Sequence, residues 1–143
     1  MSKAVKIEII GTQVYSDGRV DKVKYQAAGS FQKRQGKFII IYQEPIETGM
    51  TGVSTVLKTE ENRIILNRMG GAEFRQVFEP GILHHSNYVT SFASIYMSTL
   101  TEEMEINLTE QGGHITLKYN LFANDEKVSD NMLEINIKED TPQ

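Results

Sequence analysis

Alternation of apolar and polar residues, repeated along most of the chain, constrains its fold more than any other feature. In the segment AVKIEIIG, residues 4–11, the apolar Val5, Ile7 and Ile9 alternate with charged residues. The same period of two recurs in residues 21–33, 103–110, 114–123 and 131–139. Because successive side chains of a β-strand point to opposite faces, this pattern predicts antiparallel sheet with one buried face and one solvated face.

Turn-forming residues separate the alternating segments. Such residues cluster in SDGR at 16–19, RQGK at 34–37, EENR at 60–63, MGGAE at 69–73, EQGGH at 110–114 and ANDEK at 123–127. Together with the alternation, these turns predict about ten strands. The predicted strands are residues 4–14, 21–33, 37–44, 52–60, 63–69, 74–79, 87–98, 103–110, 114–123 and 131–139.

Short connections between successive strands favour a closed barrel over a sandwich, since sandwiches need some long crossings and a barrel leaves no exposed edge. The longer link at residues 79–87 is expected to lie across a mouth of the barrel. Gly29, inside the long second strand, predicts a bend in the wall. The fold class is therefore all-β, an antiparallel up-and-down (meander) barrel. We expect one domain over residues 1–143, with a frayed tail at 139–143.

Composition excludes several classes of function. The formal net charge is −4, which argues against nucleic acid as a partner. No apolar run is long enough for a membrane span, and the amino terminus lacks the apolar core of a signal peptide. There are no cysteines with which to build a thiolate metal site or a disulfide. We therefore predict a cytoplasmic protein without a nucleic-acid or membrane partner.

Several motifs together resemble the YwiB-like family of uncharacterised bacterial proteins, in order and over nearly the whole chain. These are IIIYQE at 39–44, TGMTGVSTVLK at 48–58, IILNRMG at 64–70, YVTSFA at 88–93, LKYNLF at 117–122 and VSDNMLEINI at 128–137. The resemblance implies a lipocalin-like (calycin) β-barrel and no established activity. The family pattern falls on Tyr42, Glu44, Thr55, Arg68, Gly70, Tyr88, Thr90 and Tyr119. The chain departs from it at Ser91 and Ala93, where the family implies a Pro-x-Gly type of turn.

An arginine shares the apolar phase of its strand. In NRIILNRMGG, residues 62–71, Arg68 is in phase with Ile64 and Leu66. A buried charge left without a partner costs about 3–5 kcal/mol, so an inward Arg68 requires one. Residues of matching phase on the two preceding strands are Tyr42, Glu44 and Thr55. Two interpretations stay open: an internal polar network that fills the barrel, or an anchor for a ligand carboxylate or phosphate.

Tyrosines on several strands predict an amphipathic cavity wall, because each combines an apolar ring with a polar hydroxyl. The candidates are Tyr25, Tyr88, Tyr96 and Tyr119, with Phe31, Phe38 and Phe92, and ordinary core packing is the alternative. The phase of residues 87–98 is ambiguous, which predicts a bulge there.

The histidines do not predict a metal site. His84 and His85 are adjacent and His114 lies at a turn, so no ligand spacing is present. A single axial haem histidine remains open on spacing alone, whereas solvated loop histidines are the simpler interpretation, and no cofactor is predicted. The chain also lacks a nucleophile elbow, a P-loop and a dinucleotide fingerprint.

The sequence thus predicts non-catalytic binding of a small amphipathic or anionic molecule inside the barrel. The candidate ligand-binding residues are Arg68, Glu44, Tyr42, Thr55, Tyr25, Tyr88, Thr90 and Tyr119. One alternative is a fully packed interaction module that acts through its surface or as a homodimer. Another is an enzyme that uses Glu44 as a general base beside Arg68, which requires Glu44 to be accessible from an open cavity. A cavity of a few hundred Å3 discriminates binding from packing.

Overall fold

The computed structural model describes residues 2–45 and 52–140, and these residues form ten β-strands. The strands are β1 (Lys3–Tyr15), β2 (Val20–Arg34), β3 (Lys37–Gln43), β4 (Ser54–Glu60), β5 (Arg63–Met69), β6 (Ala72–Phe78), β7 (Leu83–Thr90), β8 (Ser94–Thr109), β9 (Gly112–Ala123) and β10 (Glu126–Glu139). Within the described residues there is no helix that is both long and apolar enough to cross a membrane. The cytoplasmic location stays a prediction.

The sheet is a closed barrel in which every strand pairs antiparallel with the next along the chain. β10 pairs with β1, from Val5 opposite Glu139 to Tyr15 opposite Ser129, and this pairing closes the ring. The predicted up-and-down topology is thereby confirmed. We call the end where β1, β3, β5, β7 and β9 finish the upper end, and the opposite end the lower end.

The alternating pattern sorts side chains between the lumen and solvent as predicted. Val5, Ile7 and Ile9 of β1 are each at most 2% exposed. The lower and middle parts of the lumen are filled by a cluster of apolar residues from eight strands, β1 to β6, β9 and β10: Val5, Ile7, Ile9, Phe31, Ile40, Leu57, Ile64, Leu66, Phe78, Ile115, Leu117, Ile135 and Ile137. Burial of this cluster is the main favourable contribution to folding.

Gly29 allows two neighbouring strands to approach closely. It pairs with Val5 on β1 and with Tyr42 on β3. A Cβ atom built on Gly29 would lie 2.4 Å from the carbonyl oxygen of Ile41 and 2.8 Å from Cδ1 of Ile7. Any side chain at this position would therefore collide with the backbone, and the glycine packs the wall tightly at the point where a bend was predicted.

The predicted strand boundaries between residues 79 and 110 are wrong. Leu83–Thr90 form β7 rather than a link across the mouth, and β8 runs unbroken over Ser94–Thr109. The turn between them was missed by the residue pattern because it contains neither glycine nor proline, although the family resemblance implied a turn at Ser91 and Ala93. The Thr90 hydroxyl instead accepts hydrogen bonds from the backbone N–H groups of Phe92 and Ala93, at 3.2 Å each, a role that Ser and Thr fill in turns.

This turn also explains the ambiguous phase of residues 87–98. The predicted bulge is wrong for residues 87–98, whose pairing has no register shift, and an irregularity lies instead between Thr101 and Glu103 on β8. At the carboxyl end, β10 continues to Glu139, and the Asp140 N–H donates to the Ala4 carbonyl at 3.0 Å. The frayed tail is therefore wrong for residues 139 and 140, and residues 141–143 lie outside the described residues.

Adjacent isoleucines on β3 provide a test of the barrel parity. Ile40 is fully buried in the lumen and Ile41 is 39% exposed on the outside. We predict that Ile40→Ala lowers the free energy of unfolding by about 2–5 kcal/mol, because it opens a cavity in the core. Ile41→Ala is the matched control, with an expected loss below about 1 kcal/mol. Urea denaturation measures both, and equal losses would contradict the assignment of faces.

Candidate functional site

A layer of polar side chains lies above the apolar core, and strand register assembles it. Tyr42 of β3 is opposite Thr55 of β4, and Thr55 is opposite Arg68 of β5. The ladder extends one step beyond β3, since the Glu44 N–H donates to the Val53 carbonyl at 2.9 Å. All four predicted polar residues therefore share the inner face of adjacent strands, as their phase indicated.

Glu44 is the best-satisfied member of this layer. Its side chain is 0% exposed. The Thr55 hydroxyl donates to Oε1 at 2.6 Å, and the Tyr25 hydroxyl donates to Oε2 at 3.3 Å. Nε of Arg68 lies 3.6 Å from Oε1. A buried carboxylate requires such partners, because desolvation of an unpaired charge costs several kcal/mol.

Arg68 is much less well satisfied than Glu44. Its side chain is only 22% exposed, and its Nε is buried without a hydrogen-bond partner in the part of the chain that the structure describes. The ion pair with Glu44 compensates its charge, but the planar guanidinium carries five N–H donors. The arginine in the apolar phase of β5 thus points into the lumen and retains unused hydrogen-bonding capacity.

The tyrosines around this pair stay protonated. Burial, followed by the nearby charge of Glu44, raises the pKa of Tyr25 to about 12. Burial also raises the pKa of Tyr42 well above its usual value, with smaller contributions from Tyr25 and Glu44. The pKa of Tyr119 is raised by burial and lowered in part by the positive charge of Arg68. Near neutral pH these hydroxyls are therefore neutral groups that can donate hydrogen bonds.

A cavity of about 580 Å3 opens above the polar layer at the upper end of the barrel. Arg68, Tyr25 and Tyr119 line one part of it, and Ile9, Gly11 and Leu133 line another. Its volume lies in the range of small-molecule sites, about 300–1,000 Å3. The barrel is thus packed in its lower part and hollow above. The predicted filled interior describes the lower part, and the predicted cavity describes the upper part.

Tyr88 and Thr90 lie outside the cavity wall. Tyr88 packs edge-on against Phe74, with ring centroids 5.3 Å apart, and Phe74 is the register partner of Arg68. The Thr90 hydroxyl is engaged within the β7–β8 turn. Contact of either residue with a ligand stays a prediction, whereas five other candidates (Arg68, Glu44, Thr55, Tyr25 and Tyr42) belong to the polar layer and Tyr119 lines the cavity.

The histidines have separate partners rather than a common one. Nε2 of His84 lies 2.8 Å from Oε1 of Glu79, and Nδ1 of His85 lies 2.7 Å from the Ser98 hydroxyl. His114 is near Asn107, at 3.3 Å. Across residues 2–45 and 52–140, no group of three or more histidine, cysteine or acidic side chains is placed to hold a metal ion.

The apolar part of the cavity wall was missed in the sequence. Gly11 pairs with Val23 on β2 and with Leu133 on β10, and all three line the cavity. The signal was present, because Gly11 continues the inward phase of Val5, Ile7 and Ile9. An inward position occupied by glycine indicates space where the neighbouring positions are filled.

Comparisons with known proteins agree with this description. The family described as "Domain of unknown function (DUF1934)" matches residues 7–135. The "Uncharacterized beta-barrel protein YwiB" of Bacillus subtilis (strain 168) is 25% identical over 114 residues, which cover 80% of this chain and 79% of that protein.

The crystal structure of the ywiB protein from Bacillus subtilis superimposes with a TM-score of 0.88 at 20% identity, covering 98% of this chain and 94% of that one. This likeness confirms the barrel fold, and the resemblance inferred from the motifs is confirmed as well. Because the match extends over most of its length, the chain belongs to the DUF1934 family.

Proposed function

We propose that this protein binds a small amphipathic or anionic molecule in the upper cavity of its barrel and does not transform it. The observation that carries the proposal is Arg68, a largely buried guanidinium at the cavity wall with unused hydrogen-bond donors. Arginine matches the planar geometry of carboxylate and phosphate groups. An anionic group on the ligand would supply the acceptors that the described residues do not.

The remaining cavity wall suits the rest of such a ligand. Tyr25 and Tyr119 present aromatic surface together with hydroxyl groups that stay protonated. Ile9 and Leu133 add aliphatic surface. Burial of apolar ligand surface would contribute about 25 cal/mol per Å2, and the arginine would fix the orientation.

An enzyme that uses Glu44 as a general base is less well supported. The Glu44 side chain is fully buried, and it does not line the cavity. A general base must reach the proton that it removes, directly or through one water molecule. Here the carboxylate is already occupied by Thr55, Tyr25 and Arg68, which is the arrangement of a residue that positions the arginine.

Native mass spectrometry of the protein purified from its own host tests the proposal. We predict that a small molecule is retained by the wild type and released by Arg68→Met, since loss of charged hydrogen bonds weakens binding by about 10- to 100-fold. Arg63→Met, on the same strand but on the outer surface, is the matched control and should retain the molecule.

Arg68→Met alone leaves Glu44 buried without its cation and can lower stability. The double variant Arg68→Met/Glu44→Gln removes both charges, so its ligand release reports on the anchor rather than on folding. Retention of the molecule by a folded double variant would refute the role of Arg68.

The ionisation of Tyr25 in the polar layer provides a test by pH titration. Because the pKa of Tyr25 is about 12 in the folded state and about 10 in unfolded chains, the stability that this group contributes is complete below pH 10. It is lost as the pH rises through 12. We predict that the difference in absorbance at 295 nm between wild type and Tyr25→Phe titrates with a midpoint near 12, while circular dichroism shows that both remain folded. A midpoint near 10 would contradict the burial of Tyr25 beside Glu44.

A second candidate function is an interaction module, and the β7–β8 hairpin favours it. Residues 86–101 contain no charged side chain. Phe92 at the tip of the hairpin is 97% exposed, and Val89 and Ile95 beside it are each 39% exposed. Exposed apolar groups that cluster in this way mark interaction sites more often than isolated ones do.

Sedimentation equilibrium tests this second function in the form of a homodimer. Under it, the wild type self-associates and Phe92→Ser weakens the association at least about tenfold, because the most exposed aromatic anchor is lost. A dissociation constant on the order of 100 μM is typical of a weak transient complex. A wild type that stays monomeric at this concentration would contradict the homodimer.

A further inference from the structure

The inner face of β1 has a gap at Gly11. Its neighbours on the same face are Ile9 below and Gln13 above, and its register partners are Val23 and Leu133. A Cβ atom built on Gly11 would lie 3.1 Å from Cγ2 of Val23 and within 4 Å of no other group among the described residues, its chain neighbours aside. Space that a side chain would occupy is therefore part of the cavity.

Gly11 is not required by the backbone conformation. It is absent from the glycines of positive φ, which are the positions that L-residues rarely adopt. A glycine in a strand interior instead carries an entropic cost relative to alanine. Its consequence in this barrel is room in the lumen, next to the aliphatic side chains of Ile9, Val23 and Leu133.

The charges around the cavity favour a single negative charge on the ligand. Of the charged residues at the cavity, Arg68 and Asp21 have the inward phase of their strands. Lys22 and Lys24 have the outward phase, and Nζ of Lys24 lies 3.8 Å from Oε2 of Glu8 on the outer face. The buried carboxylate of Glu44 pairs with Arg68. Arg68 is therefore the one inward cation among these charged residues, and it faces two carboxylates, so a ligand with one negative charge is favoured over a dianion. A dianionic phosphate would be repelled by Glu44 and Asp21 more strongly than a monocarboxylate, because charges near the buried Glu44 are little screened.

We propose that the cavity takes a compact amphipathic monocarboxylate, whose carboxylate binds Arg68 beside Tyr25 and Tyr119 and whose apolar body fills the space at Gly11. This inference rests on the proposed function and adds to it the chemical class of the ligand. It also assigns to Gly11 the role of a specificity-determining residue, which sets the room available for the apolar body.

The head group is tested with three probes that share a phenyl ring: 3-phenylpropanoate, its neutral analogue 3-phenylpropanamide, and phenyl phosphate. Binding is followed by two-dimensional NMR titration at pH 7.5, where the phosphate is mostly dianionic. The carboxylate is expected to bind at least about tenfold more tightly than the amide, because a hydrogen bond to a charged group is lost, and more tightly than the phosphate. Amide or phosphate affinities equal to that of the carboxylate would overturn the ligand class.

The apolar body is tested with a graded series at Gly11. Gly11→Ala and Gly11→Val add one and three carbon atoms to the lumen, so 3-phenylpropanoate is expected to bind progressively more weakly, by at least about tenfold for valine. Ala28→Val adds similar bulk to the exposed face of β2 and is expected to bind as the wild type does. If Gly11→Val does not fold, Gly11→Ala carries the test, and wild-type affinity in that variant overturns the role of Gly11.

The double variant Arg68→Met/Glu44→Gln separates this inference from the proposed function. If it is folded and binds 3-phenylpropanoate like the wild type, the arginine anchor and the proposed function both fail. If it loses binding while the Gly11 variants keep it, only the role of Gly11 fails. If no carboxylate probe binds the wild type and yet native mass spectrometry shows a retained molecule that needs Arg68, the monocarboxylate class fails and the proposed function stands.

Discussion

The pairing of β10 with β1 is the constraint on which the rest of the structure depends. Eleven successive residue pairs, from Val5 opposite Glu139 to Tyr15 opposite Ser129, join the first strand to the last. Closure removes the exposed edges of an open sheet and creates an inside. Only then does the alternation along each strand acquire an energetic meaning, because one phase loses contact with water and the other keeps it.

Within this closed wall, the lumen changes character along its axis. The lower and middle parts are a packed apolar core, whereas Tyr42, Thr55, Glu44 and Arg68 form a polar layer above it. A buried ion pair of this kind adds little to stability compared with apolar packing, since desolvation offsets most of the attraction between the charges. A polar layer at the base of a cavity therefore supports the proposed binding of a ligand more than it supports a purely structural role.

The two partners of the ion pair are unequally satisfied, and this asymmetry gives the layer its functional character. Glu44 has two hydroxyl donors and the arginine, while Nε of Arg68 is a buried donor without an acceptor among the described residues. Buried polar groups in native proteins usually have partners, and each exception calls for an explanation. Glu44 thus holds the arginine in place, and Arg68 lines the cavity with N–H donors that have no acceptor among the described residues.

The sequence by itself determined the number of strands, the face that most of them bury and the barrel class. It also determined the convergence of Arg68 with Glu44, Tyr42 and Thr55, because all of these follow from a period of two. It failed at the β7–β8 turn, where a threonine hydroxyl replaces the usual glycine or proline. Only the tertiary structure decided that the lumen is filled below and hollow above, and that Gly11 opens the cavity wall. The physical reason is that parity specifies which side chains face inward, whereas the space they leave depends on the register of strands distant in sequence, such as β1 against β2 and β10.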